Sequence, residues 1–243
     1  MQTQFRFSRF VSLCVGRILP IAIVASLVAA CAHRAEVVAP QPSLWNDKAA
    51  VIGVALAPSL VASTYKAGAQ GLLDIAINSA VASSLTDHLE KFDARCFQQA
   101  QFTMIEKLRA RGLNVKAVST LIDPKKYPEV EKASAKARIA SHNYTALMHS
   151  EGIDRLLLLQ LDQIGTSRSY YAFVPTGAPV AIAKASGQMI DLKTGTLLWG
   201  SSSLRNQAIA TPWDEPPGYP HIDAAIVEAI TAAGNAIISD LVY

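Results

Sequence analysis

Three cysteines in 243 residues are too few for a disulfide framework. Cys14 and Cys31 lie at the N-terminal end, so Cys96 stands alone in the body and an apolar core must hold the fold. Charge is scarce as well, at 17% against 51% hydrophobic residues, which excludes an intrinsically disordered chain. An excess of either sign is missing once residues 1–30 are set aside. Three of the 22 Lys and Arg (Arg6, Arg9, Arg17) lie there with no acid, leaving 19 against 19 Asp and Glu. With no basic run or basic-aromatic interleaving either, nothing draws the chain to nucleic acid. Catalytic signatures are also missing: no HExxH, no Cys/His pair at ligand spacing, no G-x-S-x-G, P-loop or G-x-G-x-x-G. His142 and His149 could share a helix face but lack a third ligand, and Asp214 and Glu215 adjoin with no opposing carboxylate in view. The expectation is a protein that is not an enzyme and holds no metal.

What is present begins at the N-terminus. Residues 1–17 are polar with the three arginines, and residues 18–30 form an apolar run of 13 that ends on small side chains. A bilayer span takes about 20 helical residues, so residues 1–30 read as a cleaved secretory signal. Leu27, Val28, Ala29, Ala30 and Cys31 resemble the lipobox of bacterial lipoproteins. That resemblance implies a diacylglycerol on the Cys31 thiol and an acyl chain on its new amino group, with no other cofactor. Ala32, where an inner-membrane retention Asp would stand, implies an outer-membrane lipoprotein facing the periplasm. One acyl chain binds a membrane only marginally, while several hold it durably at about 0.8 kcal/mol per buried methylene. Residues 31–48, with Pro40, Pro42 and Ser43, read as the lipidated cysteine and a flexible tether, and 49–243 as one globular domain.

Residues 49–58 form a continuous apolar run that ends at Pro58, as suits a strand buried on both faces. Periodicity predicts helices over 71–92 and 97–111, the second capped by Gly112, then a strand at 113–119. A loop at 120–132 leads to a helix around 130–150 closed by Gly152. The segments 155–173, 179–191 and 196–209 read as a meander whose first strand, with its Leu-rich start, lies centrally in the sheet. The Asp191 to Gly195 turn supplies the residue types of a tight hairpin, four prolines bar 211–220 from a strand, and 222–242 is an amphipathic helix. The fold class is therefore α/β (α+β): a mixed sheet with an antiparallel C-terminal meander, covered by helices.

Within that order, Gly165, Thr166 and Ser167 lead to Asp191, Leu192, Thr194, Gly195, Leu198 and Trp199. This block resembles the sheet of the curli-secretion-lipoprotein and TolB-N-terminal-domain-like group, and is similar to an uncharacterised outer-membrane lipoprotein family with an Asp-Leu-x-Thr-Gly-x-x-Leu-Trp hairpin. The resemblance implies a scaffold, pore former or activator with no catalytic residues. The helical stretch 71–111 and the loop 211–220 depart from the family pattern.

Aromatic residues mark the candidate partner-binding surface. Tyr170, Tyr171 and Phe173 lie near a hairpin end, and Trp213 and Tyr219 lie in the proline-rich loop, where stiffness leaves little entropy to lose on association. The expected function is a non-enzymatic binding or scaffold module for another envelope protein, anchored to the membrane and compatible with a homo-oligomer. The alternative is an oligomeric secretion lipoprotein of the curli-secretion type, whose hairpin arms would have to cross a membrane.

Overall fold

The computed structural model describes residues 37–67, 83–131, 138–172 and 174–242. Cys31, Phe173, the signal segment and the first part of the 71–92 helix lie outside them.

The apolar run forms β1 (Val51–Leu56), buried along almost its whole length. After Pro58 the chain returns as β2 (Ser63–Ala67), and α2 (Ser83–Leu89) follows in the described chain. A 3-10 turn over Ala94–Phe97 leads into α3 (Gln98–Ala110), which Gly112 ends at φ +78°. β3 (Asn114–Ala117), the single turn α4 (Leu147–Ser150) and the 17-residue β4 (Arg155–Tyr171) come next. The short β5 (Val174–Pro175), β6 (Val180–Asp191), β7 (Leu197–Ala208) and α5 (Pro220–Val242) complete the chain.

Seven strands make one mixed sheet in the order β3-β1-β4-β6-β7, with β2 and β5 also paired to β4. β1 runs parallel to β3 and β4, and β4, β6 and β7 form the antiparallel meander the sequence predicts, with β4 central. Alternation divides the core between the two faces. Leu157, Leu159 and Leu161 pack with α3 and α5, while Leu156 and Leu158 pack with Val118, Ile122, Tyr144 and Leu147. α5 is long and apolar enough to cross a membrane, yet its apolar stripe, Ile222 to Leu241, is buried against the sheet. The β6–β7 turn holds Gly195 at φ +70°, and Asp191 Oδ1 accepts from the Lys193 and Thr194 amides and the Thr194 hydroxyl.

Two expectations are corrected, and one strand is added. The tether does not run to residue 48. Val38 bonds Gly200 of β7 in both directions at 2.8 and 2.9 Å, and Gln41 donates to Leu198 and Leu197. Helix α1 (Pro42–Asn46) then buries Leu44 completely, with Arg155 donating to the Leu44 carbonyl and to Asp47. The prolines there shape a strap on the sheet edge, and composition alone could not tell the two apart. Nor is the expected helix over 130–150 seen among the described residues of that range, where only Leu147–Ser150 are helical. Val130 and Asn143 donate across a small antiparallel pairing to Ser141 and Pro128, and Ile139 bridges Thr196. His142 therefore bridges Glu129 while His149 lies in α4, and they share no helix. Finally, β2 has no counterpart in the sequence reading, because its polar alternation, Ser-Thr-Tyr-Lys-Ala, carries no apolar signal.

Candidate interaction surface

β4 becomes more exposed toward its end, where it pairs back on itself through β5. Tyr170 pairs Pro175, Tyr171 pairs Val174, and Ala172 takes φ +53° at the turn. The tip leaves Tyr171 73% exposed and Val174 52% exposed, with Tyr170 half-buried. Arg168 braces this end. Its Nε donates to the Gly177 carbonyl at 2.8 Å, and its guanidinium carbon lies 4.9 Å from the centre of the Trp213 ring. Trp213 is half-buried and also packs on the core, so the structure brings hairpin and proline-rich loop together through one arginine. Residue spacing gives no hint of that stack.

Tyr219 must be removed from the surface. It is 2% exposed, and its hydroxyl lies 2.8 Å from Ser84 Oγ. Its ring packs 5.2 Å from that of His88, whose Nε2 donates to Asp223 Oδ1 at 2.8 Å. The residue adopts φ +44°, and its carbonyl accepts from the Asp223 amide just ahead of Pro220, so it starts α5 as well as filling the core. His221 Nδ1 lies 2.7 Å from Glu215 Oε2 and 2.8 Å from the Pro212 carbonyl, tying the loop down on its other side. Ser84, His88 and Asp223 are the residue types of a hydrolase triad. The serine bonds the Tyr219 hydroxyl and the histidine bonds Asp223, so the three side chains latch α2 to the start of α5.

A groove also escaped sequence reasoning. Where β1 stops at Leu56 and the chain leaves the sheet before β2, a groove of about 350 Å³ opens between Leu60, Val61, Phe92, Leu121 and Arg95. It lies at the carboxyl ends of the parallel strands β1 and β3, the usual ligand position in open sheets with parallel strands. Arg95 is engaged by Asp93, and no cluster of three or more metal-ligating side chains occurs among the described residues. Cys96 lies apart from this groove, facing Ile230 and Gly234 of α5; it is half-buried, and burial pushes its thiol above the ordinary value, with the nearby Asp93 carboxylate adding to the rise.

No family model matches the chain, and no curated protein matches it. Solved structures do. The PelC dodecamer from Paraburkholderia phytofirmans is 10% identical over 86% of this chain and 96% of that one, with a TM-score of 0.35. Protein XCC0632 from Xanthomonas campestris, of family DUF330, is 8% identical over 79% and 83%, with a TM-score of 0.36. Lipoprotein GNA1162 from Neisseria meningitidis is 13% identical over 75% and 96%, with a TM-score of 0.30.

Proposed function

We propose that this chain is a non-enzymatic lipoprotein, held by acyl chains on Cys31 in the outer membrane and facing the periplasm, whose α/β body binds another envelope protein. The lipobox supports the anchor, and the strap supports a short connection to it, since Val38, already bonded to the sheet, lies seven residues after Cys31. The observation that carries the binding reading is the hairpin end. Tyr171 and Val174 stand exposed on a paired tip, backed by the Arg168–Trp213 stack, so a partner would bury large area on groups already held in place. The curli-secretion reading needs both hairpin arms to cross a membrane. Arg168 on one arm and Lys184 on the other argue against a lipid-facing pair.

Radioactive palmitate should label the wild type and not Cys31→Ser; equal labelling would remove the anchor. A photoreactive residue at 171 or 213 in intact cells should give one adduct of discrete mass. The same probe at exposed Phe102 on α3 should give none, and adducts from 102 matching those from 171 would remove the surface.

A further inference from the structure

The loop that carries Trp213 is stiff, but its own backbone does not place it. Pro212, Pro216 and Pro217 restrict φ, which narrows the shapes of the loop without fixing where it lies against the sheet. Among the described residues, no backbone-to-backbone hydrogen bond holds Ala210 to Asp214. One side chain of α5 holds the loop instead. His221 follows Pro220 in the first turn of that helix, and the next residue, Ile222, is fully buried, so the imidazole stands on a rigid base. Its Nδ1 lies 2.8 Å from the Pro212 carbonyl and 2.7 Å from Glu215 Oε2. Both oxygens only accept, so Nδ1 carries the proton and shares it between them.

The two acceptors bracket Trp213. Pro212 comes just before it and Glu215 two residues after, and the Glu215 carbonyl also accepts from the Tyr219 amide at 3.0 Å. Trp213 is therefore held from the helix side through His221 and from the strand side by Arg168, which bonds Gly177 with Nε and meets the ring with its guanidinium. We infer that His221 is the positioning residue that keeps Trp213 in line with the β4–β5 tip, so that a partner meets indole and hairpin as one preformed surface. The inference rests on the binding surface proposed above and names the residue that sets its shape. The His221 and Glu215 side chains are 39% and 34% exposed. Water can take over their bonds when the donor is lost, so the fold loses little while the loop loses its place.

The test uses the full lipidated chain and two substitutions of one shape. His221→Asn keeps an N–H close to the place of Nδ1, whereas His221→Asp puts an oxygen there that does not donate. An acid in the first turn favours a helix, so α5 itself is not at risk in the second variant. With fluorotryptophan incorporated and the Trp213 signal assigned through Trp213→Phe, fluorine NMR in detergent micelles should show that signal moving in His221→Asp and staying in His221→Asn. The Trp45 and Trp199 signals, from strap and core, should stay in both and report an intact fold. In intact cells, the adduct yield from a photoreactive residue at 171 should fall roughly tenfold with His221→Asp and be kept with His221→Asn. A Trp213 signal unmoved by His221→Asp, or moved as far by His221→Asn, overturns the role of the Nδ1 proton and leaves the surface standing. Movement of all three signals reduces His221 to a structural residue, and a moved Trp213 signal with an unchanged adduct yield separates it from binding; either result overturns the inference. No adduct from the chain with His221 intact removes the surface, and this inference with it.

Discussion

Trp213 and Tyr219 stand in one stiff loop, yet only Trp213 keeps a face to solvent. Exposure of a loop does not extend to every side chain in it: the backbone at Tyr219 turns to φ +44° and sends the ring inward between Ser84 and His88. Tyr219→Ala should therefore cost about 3–5 kcal/mol in urea melts, as for other large aromatics removed from a core. Tyr219→Phe, losing only the bond to Ser84, should cost about 1 kcal/mol. Equal stability of all three proteins would return Tyr219 to the surface. Cys96 belongs to the same scale. With burial holding its thiol protonated, iodoacetamide at neutral pH should alkylate it more slowly than free cysteine, and a faster rate would identify a reactive thiol instead.

At the scale of elements, the meander and the last helix were legible because strand alternation, turn residues and a 3.6-residue stripe all agreed there. The Gly165-Thr166-Ser167 block could be seen but not explained. Gly165 sits at φ +134° opposite Ser63, and a Cβ there would fall 1.9 Å from the Ser63 carbonyl oxygen, so the glycine is what lets β2 lie against β4. Gly187 has a similar reason, since its Cβ would meet the Trp199 ring at 2.7 Å. Gly187→Ala should destabilise by about 1–3 kcal/mol through overpacking. Trp199→Ala, at a fully buried ring whose Nε1 donates to Asp240 at 3.2 Å, should cost about 3–5 kcal/mol. A melt unmoved by either substitution would contradict the packing described. What escaped the sequence were elements made by long-range pairing: the strap at 38–41, the 128–143 pairing and β2 gain their structure from strands far along the chain, and local composition does not record that.

On the scale of the whole molecule, the anchor proposed at Cys31 rests on five residues of sequence, whereas the proposed binding surface rests on the fold, which brings residues 168–172, 174–177 and 213 together. The central claim is that this surface binds a partner and does not serve the core. Its most direct test is the affinity of Tyr171→Ala for the protein crosslinked from position 171, measured beside the melting temperature. A hot-spot loss of about 2 kcal/mol, roughly thirtyfold in Kd, with an unchanged melting temperature is the predicted result. An unchanged Kd, or a Kd that weakens only as the melting temperature falls, would contradict it.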